Sequence, residues 1–364
     1  MPSLKKIVVQ NFRNIELQEL EFSGKLNCFT GGNGEGKTNL LDAIWYLSMT
    51  KSAFTADRFN FRYGSDFFAL SGTYSIPGRQ DTRISIHVDG DKKLKRDDKV
   101  YQRISDHIGL IPIVMVSPSD VSMVSDSGEE RRRFANSVIS QIDSEYLVGM
   151  QQYNRLLAQR NRLLKEFRPD LSLLDVIDDK MDALSLPLSR KREAFAKGLN
   201  PRIKDFYLKI SGGRESVSVR YRSELQKSGM KDLLSARRER DLLLGYTTVG
   251  LQRDDFSFEM NGHPIRNCGS QGQQKSFLVA LKFAQYAIMR EGLSEEVKPI
   301  LLLDDLFDKL DLSRVQNLLQ MVLGEDFGQI FLTDSNKLRI SNMVDSITED
   351  RSYFEAKGGV FMQL

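Results

Sequence analysis

The stretch GGNGEGKT at residues 31–38 decides the fold, because it has the form G-x-x-x-x-G-K-[ST] of a phosphate-binding loop. Residues 26–30 before it are typical of a short apolar strand, and apolar residues recur at helical spacing after it. Glycines let successive backbone N–H groups converge on phosphate oxygens, and the helix N-terminus adds partial positive charge. Lys37 would reach the β- and γ-phosphates, and Thr38 would hold Mg²⁺. The competing interpretation is a glycine-rich turn that merely precedes a helix.

A second acidic motif follows far along the chain, where residues 300–305 read ILLLDD. Four apolar residues place both carboxylates at the carboxyl end of a buried strand, which is the ligand edge of an α/β sheet. Asp304 would hold the Mg²⁺ shell, and Asp305 would orient or deprotonate the attacking water. A buried strand that ends in a polar turn is the alternative, and it is common for one Asp but not for two.

Composition limits the class of protein. The 364 residues are too many for one small core, so we expect two lobes, and 40% hydrophobic with 28% charged residues describes an ordinary soluble protein. The chain has no run of 18 apolar residues and no apolar leader, which predicts a cytoplasmic protein without a membrane span. Two cysteines and three histidines argue against a disulfide framework and a zinc enzyme.

The charge is unevenly distributed along the chain. Residues 151–240 contain 21 Lys and Arg against 12 Asp and Glu, although the net charge of the whole chain is only +3. A basic middle region is typical of a protein that meets a polyanion there. Solvated helix faces are the simpler explanation, and for charge runs in general it holds more often.

The remaining pattern predicts mixed β structure, a helical middle and a βα ending. A heptad-like stripe from 142 to 164 and a second run from 174 to 188 indicate a helical hairpin of about 30 to 40 Å per arm, with Pro187 kinking the second run or starting a new helix. Asn261-Gly262 indicates a hairpin turn. Strands are expected at 5–12, 68–76, 82–88, 109–116, 217–221, 256–260, 299–303 and 329–332, and further helices at 277–290 and 312–323.

Residues 270–276, with the sequence SQGQQKS, open the predicted helix that precedes the acidic motif. A serine hydroxyl and bare backbone N–H groups at a helix N-terminus form a second anion site. One chain offers a single γ-phosphate, which the first loop already holds. We therefore expect this segment to cap the nucleotide bound by another copy of the chain.

Together these motifs resemble the ATP-binding-cassette ATPases, and within them the RecF family, which is related to the SMC and Rad50 proteins. The resemblance covers nearly the whole chain. It rests on NFRN at 11–14, GEGKTNLLDAI at 34–44, KSAF at 51–54, SPSD at 117–120, RRRF at 131–134, YNRLL at 153–157, QRN at 159–161 and QGQQK at 271–275. It implies an α/β fold, an ABC-type (P-loop) ATPase head with a mixed sheet plus a smaller helical lobe. The expected division is 1–115 and 246–364 for the ATPase lobe and 116–245 for the helical lobe.

The resemblance also assigns roles residue by residue. Nucleotide contacts are implied for Arg13, Asn14, Gly31, Gly32, Asn33, Gly34, Glu35, Gly36, Lys37, Thr38 and Asn39. The signature motif that acts on the partner's nucleotide is implied for Ser270, Gln271, Gly272, Gln273, Gln274 and Lys275. Asp311 corresponds to the loop that crosses the dimer interface, Thr333 stands at the switch position, and ATP and Mg²⁺ are the implied ligands.

By the same resemblance, two copies would close head to tail on two ATP molecules and grip duplex DNA, releasing it on slow, DNA-stimulated hydrolysis. The family's role in recombinational repair implies recruitment of a RecR-like mediator and help in loading RecA at single-strand gaps. DNA contacts would be mostly to phosphates. The basic candidates are Arg131, Arg132, Arg133, Arg160, Arg162, Arg190, Lys191, Arg192, Arg237, Arg238 and Arg240.

Several positions depart from the family pattern. Lys309 replaces the usual acidic residue before Leu-Asp, GLQRDD at 250–255 lacks the usual proline and histidine, and TDS at 333–335 lacks a switch histidine. No glutamine occurs in 111–133 to act as the lobe-junction magnesium ligand, so that role stays unassigned. A transporter ATPase, a nuclease and a chromosome-organising ATPase fit less well. A RecF-like protein that uses ATP only as a structural ligand remains the strongest alternative.

Overall fold

A computed structural model describes residues 3–76, 78, 80–126, 128–212, 215–294, 296–305, 312–324, 326–336 and 348–364. The chain divides into two compact units, the first formed by 1–120, 209–212 and 285–364, and the second by 121–208 and 213–284. The sequence instead places the return to the ATPase lobe at 246. Among the described residues, no helix has the length and apolar character that crossing a membrane requires.

Near the glycine-rich loop a strand precedes the loop and a helix follows it, as the sequence pattern predicts. Elsewhere the order of strands and helices agrees less closely with the prediction. The strands are β1 Ser3–Phe12, β2 Ile15–Glu21, β3 Leu26–Thr30, β4 Phe68–Ser75, β5 Thr82–Val88, β6 Lys92–Arg96, β7 Lys99–Val100, β8 Ile113–Val116, β9 Val217–Arg222, β10 Asp255–Met260, β11 His263–Pro264, β12 Ile300–Leu303, β13 Ile330–Asp334, β14 Arg351–Lys357 and β15 Val360–Gln363. The helices are α1 Lys37–Met49, α2 Ser122–Ser125, α3 Gly128–Ile142, α4 Ser144–Leu163, α5 Leu171–Ser211, α6 Met230–Leu244, α7 Ile265–Cys268, α8 Gln271–Glu291 and α9 Leu312–Leu323.

The first unit contains the sheet that carries the glycine-rich loop, with strand order β15-β14-β3-β13-β12-β8. All its neighbouring strands pair in parallel except the β14–β15 hairpin at one edge. Strands β3, β8, β12 and β13 are buried along their whole length, which is why they read as continuous apolar runs in the sequence. Their carboxyl ends therefore meet at one edge.

A second sheet of the first unit is antiparallel, with strand order β2-β1-β4-β5-β6-β7. Its strands alternate between buried and accessible side chains, since one face packs into the same hydrophobic core as α1 and the other face does not. This core includes Phe12, Phe68 and Tyr46, whose rings meet edge to face.

The second unit is mainly helical and includes the three-stranded sheet β11-β10-β9. The predicted turn at Asn261-Gly262 joins β10 to β11, and both residues have the positive φ that such a turn requires. Three helices of this unit surround a buried cationic side chain. Arg160 of α4, which has no exposed surface, pairs with Asp178 of α5 and Asp241 of α6.

Several elements differ from the sequence prediction. Helix α5 runs for 41 residues, about 60 Å, with Pro187 and Pro201 inside it, so Pro187 does not start a new helix. Its buried apolar positions continue beyond the second proline, which offsets the cost of two interrupted hydrogen bonds. Helix α6 and the β14–β15 hairpin were not predicted. The strand expected over 109–116 spans only Ile113–Val116, because Pro112 lacks a backbone donor.

Candidate functional site

The glycine-rich loop lies at the carboxyl edge of the parallel sheet, between β3 and α1. Lys37 is 4% exposed, and its ammonium group donates hydrogen bonds of 2.8 Å to the carbonyl oxygens of Gly31 and Gly32. The loop thus holds its own lysine across the cradle. A phosphate would offer that ammonium group charged acceptors, which make stronger hydrogen bonds than the carbonyls.

Two glycines of the loop have a structural requirement that explains the pattern. Gly31 has a φ of 151°, and a Cβ there would lie 2.4 Å from the carbonyl oxygen of Ala356. Gly36 has a φ of 103°, and a Cβ there would lie 2.7 Å from the side chain of Asn14. Side chains at these positions would push the loop away from β14 and from the β1–β2 turn.

Asp304 and Asp305 follow β12, beside the start of α1. The Thr38 hydroxyl donates to the Asp304 carboxylate, 2.9 Å from each oxygen. The Thr333 hydroxyl, at the end of β13, donates to Oδ1 of Asp304 over 2.8 Å. Burial raises the pKa of the Asp304 carboxyl, while the hydrogen bonds from Thr333 and Thr38 act in the opposite direction. Thr38, Asp304 and Thr333, which the sequence analysis assigns to the site, are therefore in contact.

Asp305 has an unusual backbone. Its φ is 42°, in the left-handed region that few residues other than glycine and asparagine or aspartate adopt. Its N–H donates to the Thr333 hydroxyl over 3.0 Å, so one hydroxyl connects both acidic residues. Thr333 is the predicted switch position, and its hydroxyl contacts the carboxylate of Asp304 and the backbone of Asp305.

Arg13 and Asn14 meet the beginning of α1. The Arg13 guanidinium donates to Asn39 over 2.9 Å and to the carboxylate of Asp42, and Asn39 donates to Asn14 over 2.7 Å. Asp42 has no exposed surface, and burial raises the pKa of its carboxyl while Arg13 opposes that shift. The sequence did not single out Asp42, because an acidic residue inside an amphipathic helix gives no signal of burial.

The β14–β15 hairpin also contacts the glycine-rich loop. The Glu35 carboxylate accepts from the N–H of Gly358, and the Glu35 carbonyl accepts from the N–H of Gly359 over 2.9 Å. The pair Gly358-Gly359 between alternating residues is itself a hairpin signal that the sequence interpretation did not use. The loop is thus supported from the carboxyl-terminal end of the chain.

The segment at 270–275 lies in the second unit, at the start of α8. The Ser270 N–H donates to the side chain of Gln273 over 2.8 Å, and the Gln273 N–H donates to the Ser270 hydroxyl over 3.3 Å. This reciprocal pair is a capping box. Ser270 and Gln271 are exposed, and Gly272, Gln273, Gln274 and Lys275 are half-buried. Asp311, the expected interface loop residue, lies outside the described residues.

The structure corrects part of the list of DNA-binding candidates. Arg160 and Arg192 are buried, at 0% and 1% exposed, and they pair with acidic residues of their own unit, so DNA phosphates do not reach them. Arg131 is 9% exposed and donates to Asp255 and to two backbone carbonyls. A charge run in the sequence does not distinguish such internal partners from solvent.

The other candidates are accessible to different degrees. Those with ion-pair or hydrogen-bond partners are Arg132, Arg133, Lys191 and Arg238. Arg133 is exposed despite its partners, and further exposed candidates are Arg162, Arg190, Arg237 and Arg240. Within the described part of the chain, these last four make no ion pair. They remain predictions as DNA contacts.

Comparison with known proteins identifies the family of the chain. A family model described as an AAA domain matches residues 6–197. The chain is 41% identical to the DNA replication and repair proteins RecF of Bacteroides fragilis and Bacteroides thetaiotaomicron, over 99% of this chain and 98% of each relative. It is 39% identical to the RecF protein of Porphyromonas gingivalis, over 99% of this chain and 100% of the relative.

Solved structures give the same result. A structure of the recombination mediator protein RecF with ATP superposes with a TM-score of 0.89 at 28% identity, covering 100% of this chain and 98% of that one. An SMC head domain from Pyrococcus furiosus superposes with a TM-score of 0.57 at 16% identity, covering 100% and 96%, and shows the fold alone. The predicted ABC-type ATPase head is confirmed. The chain belongs to the RecF family of DNA replication and repair proteins.

Proposed function

We propose that the protein is an ATP-hydrolysing, DNA-binding component of recombinational repair that works as an ATP-bridged dimer. The contact of Thr38 with Asp304 carries the nucleotide part of this proposal. It brings a hydroxyl from the glycine-rich loop and a carboxylate from the end of β12 to the same point, 2.9 Å apart, although the two residues are 266 positions apart in the sequence. Membership of the RecF family supports the repair part.

The residues at this point fit Mg²⁺. Magnesium prefers oxygen ligands and commonly uses one or two carboxylates with substrate phosphates, and Thr38 and Asp304 present such oxygens beside the phosphate cradle. Thr38 and Asp304 would hold the ion, and its positive charge would offset the negative charge that develops on the transferred phosphoryl group. Thr333 keeps the Asp304 carboxylate oriented by a hydrogen bond of 2.8 Å to Oδ1.

Binding and hydrolysis then require different residues. The ammonium group of Lys37 would leave the carbonyls of Gly31 and Gly32 and contact the β- and γ-phosphates. Asp305 would accept a proton from, or orient, the water that attacks the γ-phosphate. Its left-handed backbone is held by the hydrogen bond from its N–H to Thr333, and the residue is half-buried, so its carboxylate is more accessible than that of the buried Asp304.

The segment at 270–275 would complete the nucleotide site of a second copy. Within its capping box the Ser270 hydroxyl accepts from the Gln273 N–H, so this hydroxyl would have to turn towards an incoming γ-phosphate, beside the N–H of Gly272. A γ-phosphate held by Lys37 of one copy and Ser270 of the other would join the two. We place Asp311 in the loop that crosses this interface.

ATP would therefore act as a timer for DNA binding. The closed dimer would hold duplex DNA mainly through backbone phosphates, and slow hydrolysis, stimulated by DNA, would remove the group that joins the copies and release the DNA. In repair, this cycle would mark the place where a RecR-like mediator is recruited and RecA is loaded at single-strand gaps. The cycle would take place in the cytoplasm.

Two variants test the composite site. Lys37→Met should abolish ATP-dependent dimer formation, because the cradle loses its phosphate contact. Ser270→Arg should bind ATP as a monomer with the affinity of the wild type but should not dimerise, since an arginine at the start of α8 blocks the partner's γ-phosphate. Light scattering with ATP, with ADP and without nucleotide gives the mass of the particle. A Ser270→Arg protein that dimerises with ATP contradicts the shared site.

A further inference from the structure

The accessible face of the antiparallel sheet in the first unit carries a groove of about 350 Å³. Strands β1, β4, β5 and β6 form its floor, where the side chains are short or neutral, as at Ala69, Ser71 and Ser85. Four basic side chains line it: Arg83, His87, Lys93 and Lys95. We call this feature the basic groove.

The basic groove has an excess of positive charge. No acidic side chain is among the described residues that line it. Asp89 lies at the rim, 3.4 Å from His87 and 3.5 Å from Lys93, which are long contacts between exposed groups. In the part of the chain that the structure describes, Arg83 and Lys95 make no ion pair, and the only side-chain hydrogen bond of Arg83 there is donated by Nε to Ser71 over 3.0 Å.

The arrangement of these charges indicates the form of the ligand. Arg83 and His87 lie on the same face of β5, four residues and so about 13 Å apart. Lys93 pairs across the ladder with His87, and Lys95 with Ser85, so the charges follow two neighbouring strands. A single phosphate needs donors that converge on one point. Donors spread along a line instead suit a polyanion whose negative groups repeat along its length.

We propose that the basic groove binds the sugar-phosphate backbone of DNA. This inference rests on the proposed function, since it names the surface that the DNA-binding part of that function uses. The groove lies entirely within the first unit, whereas all the DNA-binding candidates singled out from the sequence lie in the second. Arg83 is exposed, so its Nη groups can reach a phosphate while Nε is held by Ser71, and Ser85 adds a hydroxyl to the floor.

The charges at the opposite edge of the same sheet indicate which side of the sheet the duplex should cover. The edge strand β2 carries Glu16, Glu19 and Glu21. Glu16 and Glu19 pair there with Arg62 and Lys6, so that edge carries no excess of positive charge, whereas β5 and β6 do. The duplex should therefore lie over the β5–β6 side. Short hydroxyl side chains on the floor suit phosphate contacts and offer little that reads base edges.

The test uses two matched double variants of the full-length protein. Arg83→Gln/Lys95→Gln removes two positive charges from the basic groove. Lys5→Gln/Lys6→Gln removes two positive charges from β1 of the same sheet, where both lysines pair with acidic residues outside the groove. Affinity for a fluorescent duplex of random sequence is measured by anisotropy with ATP present, over a range of salt concentrations. Binding of a fluorescent ATP analogue is measured in parallel.

The groove variant should bind duplex about tenfold more weakly, and the slope of log K against log salt should fall by about 1.8, because each phosphate contact contributes roughly 0.9. The control variant should match the wild type, and all three proteins should bind the ATP analogue equally. A groove variant with wild-type affinity and slope overturns this inference and leaves the proposed function standing. A wild-type protein that does not bind duplex with ATP overturns the DNA-binding function itself.

Discussion

The Asp304 carboxylate has two conflicting requirements. It must be ionised to serve as a magnesium ligand, yet burial raises its pKa above the ordinary value of 3.8. Hydrogen bonds from Thr38 and Thr333 favour the ionised form without cancelling the effect of burial. The folded protein without nucleotide therefore holds an electrostatic cost at this residue, which a bound cation would relieve.

Replacing Asp304 by asparagine should consequently stabilise the nucleotide-free protein while abolishing hydrolysis. The unfolded chain ionises Asp304 near pH 3.8 and the folded chain at higher pH, so the wild type loses stability as pH rises between these two pKa values. The asparagine side chain of the variant does not titrate. We expect Asp304→Asn to raise the free energy of unfolding at pH 7, and to leave it unchanged below the ordinary pKa of 3.8.

Denaturant unfolding at both pH values, without nucleotide, measures this difference. Asp66→Asn is the control, because Asp66 is an exposed carboxylate of the same unit. A variant at residue 304 that is less stable than the wild type at pH 7 would mean that the two threonine hydrogen bonds outweigh burial.

At the scale of elements, the helices of the second unit are joined by buried ion pairs that the sequence presents as a charge run. Arg160 donates to Asp178 over 2.7 Å, to Asp241 over 2.7 Å and to the Thr247 hydroxyl over 2.9 Å. These contacts connect α4 with α5 and α6. Removing the arginine would leave two carboxylates in the interior without their main cation.

We therefore expect Arg160→Met to lower the free energy of unfolding by about 3 to 5 kcal/mol. Arg162→Met changes an exposed arginine two residues away on the same helix and should change it by less than about 0.5 kcal/mol. Chemical denaturation of both variants gives the comparison. Equal stability of the two would show that Arg160 does not hold the three helices together.

These elements also show what the sequence could predict. The strands and helix around the glycine-rich loop were predictable, because fully buried parallel strands read as apolar runs and the loop pattern fixes their connection. Helix α6 was not, because charged residues interrupt its apolar positions. The internal role of Arg160 and Arg192 was not predictable either, since their acidic partners are distant in the sequence. The burial of Asp42 and the contact of Gly358 with Glu35 were not predictable either, because they too depend on packing against residues that are distant in the sequence.

At the scale of the whole molecule, the motifs of the proposed site divide between the two units. Lys37, Asp304 and Asp305 belong to the first unit, and Ser270 belongs to the second. Sequence resemblance could identify both sets and the family, because each motif is local. In the proposed dimer the nucleotide joins the two sets, so the decisive observable is the lifetime of that dimer.

Asp305→Asn should lengthen that lifetime. Asparagine tolerates the left-handed φ of 42° at this position, so the variant should keep the backbone and the hydrogen bond from its N–H to Thr333. It loses the carboxylate that would activate water, and general-base catalysis contributes about 10² to 10⁴ in rate. After one equivalent of ATP per site, wild-type dimers should return to monomers as ATP is consumed, whereas the variant should stay dimeric at least about 100-fold longer.

Light scattering and single-turnover hydrolysis, followed on the same samples, test both steps. Equal rates in the two proteins would mean that Asp305 is not the catalytic base, and hydrolysis without loss of the dimer would mean that ATP serves as a structural ligand rather than a timer.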